Sequence, residues 1–156
     1  MKNSKKRIWL AIALVVASFS VYAHNGATGI VKDRMDSMSE MGDAMKVMAD
    51  MMKGKRPYEI ELVRESADNL AEHAKTLVEF FPDTEDSRMS MESDALPEIW
   101  TSWDKFQARS DKLGTAVETL RQAASEDLDK RSFRLVFSKT AKACSSCHDD
   151  YRPPEV

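Results

Sequence analysis

The sequence predicts an all-α protein, an antiparallel up-down-up-down four-helix bundle. Three observations predict it. Beyond the first 25 or so residues, apolar side chains recur at steps of three and four in four separate stretches. No stretch alternates apolar and polar residues as a half-buried strand does. The breaks between stretches carry Gly or Pro where helices stop or start.

Residues 1–23 stand apart from this pattern. Lys2, Lys5, Lys6 and Arg7 form a basic start, Ile8 to Ala17 is an apolar run, and Val21-Tyr22-Ala23 has the small-residue character of a cleavage site. That is the pattern of a secretory signal peptide cleaved after Ala23. The run is shorter than the ~20 residues a membrane span needs. Residues 24–156 are therefore expected to form one domain in the periplasm, not inserted in the membrane after cleavage. Loss of the four basic residues leaves 19 Lys and Arg against 26 Asp and Glu, a net charge of −7. This acidic balance argues against nucleic acid and anionic membrane as partners. It suits solubility, or a basic docking partner.

The first helix is expected from Ala27 to Lys53, ending at Gly54 with Pro57 beyond. Its seam reads Val31, Arg34, Met38, Met41, Met45, Met48, Met52. The second starts near Pro57, ends near Phe80 and has the seam Val63, Ala67, Leu70, Ala74, Leu77, Phe81. Phe81 to Leu96 is the one long connection, polar and acidic. The third helix opens at Pro97 and carries Ile99, Trp103, Phe106, Ser110, Leu113, Val117, Leu120 and Ala124. The fourth begins near Asp127, carries Phe133, Phe137, Thr140, Cys144, Cys147 and Tyr151, and stops at Pro153-Pro154. Sustained 3-4 spacing implies packing at a shallow crossing angle, and the short first–second and third–fourth links make each pair antiparallel. The end of the fourth helix then lies level with the start of the first.

Both cysteines of the chain fall in one run, Cys144-Ser145-Ser146-Cys147-His148. Cys-x-x-Cys-His is the attachment signature of c-type haem. Two thiols add across the vinyl groups, and the adjacent imidazole becomes an axial iron ligand. On a helix of about 3.6 residues per turn, positions 144, 147 and 148 share one face, so all three address one flat group. An exported cysteine pair otherwise reads as a disulfide. One covalently attached haem c explains the pair and also the histidine.

His148 should face the first turns of the first helix, which offer Met35, Met38, Met41 and Met45. A methionine stripe at helical spacing is more often core filling than a ligand set, because the thioether packs adaptably. Arg34 makes these turns less ordinary: a charge at a seam position is costly unless paired, and a haem propionate would pair it. Met38 lies four residues on, over the haem interior if Arg34 holds its edge. Met41 is the next candidate, with Gly42 beside it.

Three segments carry a family resemblance: Gly29-Ile30-Val31-Lys32-Asp33-Arg34-Met35-Asp36-Ser37-Met38-Ser39-Glu40-Met41-Gly42, Leu96-Pro97-Glu98-Ile99-Trp100, and Cys144-x-x-Cys147-His148-x-x-Tyr151-Arg152. Together they resemble the class II c-type cytochromes, the cytochrome c-prime family. The resemblance implies that Arg34 contacts a propionate and that residue 38 faces the distal side of the haem. Many members have a non-ligating side chain there, leaving five-coordinate iron that binds nitric oxide or carbon monoxide. The low-spin subgroup has a methionine as sixth ligand, and Met38 looks like this second kind. Arg152 matches a basic residue near the proximal face, although a solvated helix end explains it as simply. Members are often homodimers, and low-spin members can be monomers; both states stay open.

The leading expectation is a periplasmic electron carrier with His148 and Met38 as axial ligands, exchanging electrons with unidentified redox proteins and transforming no substrate. A five-coordinate gas-binding cytochrome of the same fold is the alternative. A methionine-rich copper protein is a second alternative, since soft thioethers suit Cu(I), but it leaves the Cys-x-x-Cys-His run unexplained. A thioredoxin-like role lacks the surrounding strand–helix–strand pattern. His73 reads as a boundary histidine, His24 as a mature N-terminus able in principle to grip copper, and Trp100 and Trp103 as packing at the haem end.

Overall fold

The computed structural model describes residues 26–154, so the expected signal peptide, its cleavage point and His24 lie outside the described residues. Those residues fold as α1 (Gly29–Met52), α2 (Ile60–Thr76), a 3₁₀ turn (Leu77–Phe80), α3 (Glu85–Arg88), α4 (Glu98–Thr101), α5 (Trp103–Ser125) and α6 (Lys130–Tyr151), without strands. Four long helices form a bundle in which α1 packs on α2, α2 on α5 and α5 on α6. None is long and apolar enough to cross a membrane.

Local chemistry sets the boundaries. α1 ends where Gly54 takes φ +73°, the left-handed conformation glycine adopts without strain. The Gly54 N–H then reaches the Met51 carbonyl at 3.1 Å and the Lys55 N–H the Asp50 carbonyl at 2.8 Å. α2 starts three residues later than Pro57, because Glu59 is still extended. α6 starts at Lys130 and not at Asp127, which takes φ +56°. Asp129 is the cap, accepting from the Arg131 N–H at 2.8 Å and the Ser132 N–H at 3.1 Å.

The expected third helix is two. Ser102, at φ −132° and ψ 45°, breaks α4 from α5. Trp100 on α4 donates its indole N–H to the Phe81 and Pro82 carbonyls at 3.1 and 3.2 Å. α4 is thereby held to the connection that precedes it.

Cross-links confirm that neighbours are antiparallel. Late α2 meets early α1 where His73 Nδ1 lies 3.0 Å from Ser37 Oγ. Early α2 meets the end of α5 through the Arg64–Asp127 ion pair. The end of α6 meets early α5 where Arg109 grips Asp150 at 2.7 Å. Early α6 meets the end of α1, where Arg134 Nη2 donates to the Met52 carbonyl at 2.5 Å.

The expected seams fill the core. Val63, Ala67, Leu70 and Ala74 of α2 and Leu77 of the 3₁₀ turn are buried, as are Phe106, Leu113, Val117, Leu120 and Ala124 of α5. Thr140 of α6, fully buried, donates its hydroxyl to the Ala116 carbonyl at 3.2 Å. The methionine stripe divides. Met41, Met48, Met51 and Met52 are buried, whereas Met35, Met38 and Met45 are half-buried.

Candidate haem-binding site

Cys144, Cys147 and His148 lie in the penultimate and last turns of α6. The cysteines are half-buried free thiols and His148 is exposed. Burial raises both thiols, Cys147 to about 11, so at neutral pH the pair carries S–H groups and not thiolates.

The Arg134–Met52 contact fixes what stands opposite them. Fourteen residues back along α1 from Met52 is Met38, and fourteen residues on along α6 from Arg134 is His148. Each step is about 21 Å at 1.5 Å per residue, and the helices run in opposite directions, so Met38 and His148 are level. The same count keeps Arg34, Met38, Met45 and Met52 on one stripe of α1, and Arg134, Phe137, Ala141, Cys144 and His148 on one stripe of α6. α1 and α6 meet sparsely. Along this seam Met38, Met45, Phe137, Cys144 and Cys147 are all half-buried, in contrast to the fully covered α2–α5 seam. Two half-covered apolar stripes, two thiols three residues apart and an imidazole on the same face form a donor set that fits a flat, largely apolar porphyrin held by thioethers.

Arg34 is 3% exposed, and the protein itself satisfies most of its donors. Nε donates to the Phe80 carbonyl at 3.0 Å, Nη1 to Ser93 Oγ at 2.9 Å, and Nη2 to the Ser87 carbonyl and hydroxyl at 3.2 and 2.5 Å. Its guanidinium also lies 4.3 Å from the Phe81 ring centroid and 5.7 Å from that of Trp100. Part of the cost of this buried charge is met within the protein. Neutral carbonyls and hydroxyls already hold it, yet none of them cancels the charge, and desolvation lowers its pKa to about 10. A second N–H on Nη1 remains for one more acceptor.

Phe81, Ser87 and Ser93 come from the 81–96 connection, which the sequence offered merely as a polar loop. The connection is anchored at its other end by the Leu96 N–H to the Tyr151 carbonyl at 3.0 Å. Arg152 joins the same lacing, its Nη2 3.5 Å from Asp94 Oδ2. Phe106 meets Phe81, at 4.8 Å, and Tyr151, at 5.3 Å, edge to face, so aromatic packing backs this end of the bundle. His73 is half-buried at the helix boundary as expected, where it bridges buried Ser37 and, at 2.8 Å, Glu40, on either side of Met38.

A sequence profile described as Cytochrome C' matches residues 29–152. A cytochrome c' of Rhodopseudomonas palustris is 32% identical over 150 residues, covering 95% of this chain and 97% of that protein. A cytochrome c-556 of Agrobacterium tumefaciens (strain apple 185) is 31% identical over 119 residues, covering 76% and 90% respectively. The solved structure of Rhodopseudomonas palustris cytochrome c' superposes with a TM-score of 0.75 at 29% identity, covering 83% of this chain and 100% of that one. With four antiparallel helices and a thiol–thiol–imidazole face at the end of the last, this chain belongs to the cytochrome c' family, which carries covalently bound haem c.

Proposed function

We propose that this protein binds nitric oxide or carbon monoxide at the distal face of a haem c. The observation that carries the reading is the cytochrome c' match across 95% of the chain. It gives the gas-binding alternative more support than the electron-carrier expectation. Haem membership also removes the ground for a copper-protein reading of the methionines.

The bound group supplies the iron chemistry; the chain supplies its attachment and surroundings. Cys144 and Cys147 would hold the haem through thioethers, each S–H adding across a vinyl group with its hydrogen going to the other vinyl carbon, so that no oxidant would be needed. His148 presents its imidazole from the same face of α6. Met38, level with it on α1, would line the opposite side. The remaining N–H of Arg34 would be available to a propionate, whose charge would offset the buried guanidinium. Arg152, tied to Asp94, holds the end of α6.

A second reading is favoured by one specific observation, the thioether of Met38 at the level of His148. Bonded to iron it would close the distal position and leave an electron carrier. Optical spectra of the purified holoprotein separate the two. Gas binding at an open position gives a high-spin ferric spectrum without a sulfur-to-iron charge-transfer band. It also gives rapid carbon monoxide uptake by the ferrous form, little altered in Met38→Ala. A low-spin spectrum with that band, and uptake that becomes rapid in Met38→Ala alone, would overturn it in favour of the carrier.

A further inference from the structure

Charge is distributed unevenly over this bundle. α1 and α2 together hold nine carboxylates against five Lys and Arg, and Lys32, Lys46, Arg64 and Lys75 are each tied to a carboxylate. α6, which bears Cys144 and Cys147, holds Lys130, Arg131, Arg134, Lys139 and Lys142 against Asp149 and Asp150. Among the described residues, Arg131, Lys139 and Lys142 form no ion pair.

Arg131, Leu135, Lys139 and Lys142 follow at steps of four, four and three, so they share one face of α6. Leu135 in their midst is 69% exposed. Beside it a shallow groove of about 380 Å³ runs between α5 and α6, lined by Lys112, Ala116, Val136 and Lys139, with Asp111 as its one carboxylate. An exposed apolar side chain ringed by unpaired cations is the composition of a transient, charge-steered interface.

We infer that this α5–α6 face docks an acidic redox protein that supplies the electron for the haem iron. In that step the partner's reduced cofactor loses one electron and ferric iron gains it. The chain's net charge of −7 without the leader points the other way, to a basic partner. Screening decides between them. At physiological ionic strength charges beyond about 8 Å are largely masked. A partner on α6 therefore feels Arg131, Lys139, Lys142 and Lys112 and not the carboxylates of α1 and α2 across the bundle. The face lies one helix thickness, about 10 Å, from the side that carries Cys144 and His148. The inference rests on the haem reading and holds whichever way Met38 is settled, since ferric iron needs an electron donor in both.

The test is stopped-flow reduction of the ferric holoprotein. One reductant is flavodoxin hydroquinone, an acidic one-electron protein donor; the other is lumiflavin semiquinone, small and uncharged. With flavodoxin the rate constant should fall steeply as salt is added. It should drop about ten-fold in Lys139→Glu/Lys142→Glu and change less than about two-fold in Lys75→Glu on α2. With lumiflavin, wild type and both variants should react alike, which also shows that the variants are folded and loaded. A flavodoxin rate that rises with salt, or falls equally in both variants, overturns the docking face. So does faster reaction with a basic donor such as reduced mitochondrial cytochrome c. Failure with lumiflavin overturns the haem reading itself.

Discussion

Nη2 of Arg34 donates to both the carbonyl and the hydroxyl of Ser87, at 3.2 and 2.5 Å, across 53 residues of chain. The first turns of α1 are thus clamped to the connection that precedes α4. Arg34→Leu keeps an apolar volume but leaves the buried Ser87 hydroxyl and the Phe80 carbonyl without their donor. An unsatisfied buried polar group costs about 1–3 kcal/mol, so the variant should lose at least about 2 kcal/mol in urea unfolding of the holoprotein. Ser87→Ala, which removes one acceptor and retains the other three, should lose less. Equal stability of Arg34→Leu and wild type would show that the clamp carries no weight.

The split methionine stripe makes a second prediction. Met48 has no exposed surface and sits among the α1, α2 and α5 core side chains. Met48→Ala should cost about 2–5 kcal/mol through lost burial and the cavity left behind, with the optical spectrum unchanged. Met38, half-buried on the α6-facing stripe, is on the other side of that division. Met38→Ala should unfold close to wild type, its effect confined to the haem spectrum and gas kinetics. A Met38 variant as unstable as Met48→Ala would place its thioether in the core.

This division shows how far the sequence could be read. The seams of α2 and α5 were legible because burial follows helical periodicity, a local signal. So was the haem end, because Cys144, Cys147 and His148 sit within five residues. On α1, periodicity put Met38, Met41, Met45 and Met48 on one seam. It could not say which side faces α2 and which faces α6, because that depends on the partners' positions around the ring. The acceptors of Arg34 were illegible for a related reason. Ser87 and Ser93 look like ordinary loop serines, and just the closed fold brings them to a residue more than 50 positions away. The break at Ser102 carries no proline or glycine, so the third stretch read as one helix.

Asp129 supplies a pH-dependent prediction. Its carboxylate accepts from the Ser132 hydroxyl at 2.9 Å and from the Ser132 and Arg131 N–H groups, and these bonds lower its pKa from the ordinary 3.8. A depressed carboxylate contributes stability that is present above pH 3.8 and lost as pH falls through the folded-state value. Asp129→Ala should therefore melt a few degrees below wild type at pH 7, and the gap should close as the pH is taken below 3.8. A gap independent of pH would mean that the aspartate acts through its packing and not through its charge.

The two thiols make separate bonds to one group, and this can be read on a denaturing gel. Cys144 and Cys147 are both half-buried thiols three residues apart on α6, with no disulfide between them. Each single replacement, Cys144→Ser or Cys147→Ser, leaves one thioether, enough to keep haem on the unfolded chain. Staining for covalent haem should therefore persist in both, weakened by less efficient loading. Cys144→Ser/Cys147→Ser should lose the stain entirely while His148 can still ligate iron in the folded state, so haem would be extractable by acidified organic solvent. His148→Ala should do the reverse, retaining the covalent stain and altering the spectrum. Stain surviving in the double variant would mean that neither sulfur is the point of attachment, and would leave the half-covered face between α1 and α6 to some other group.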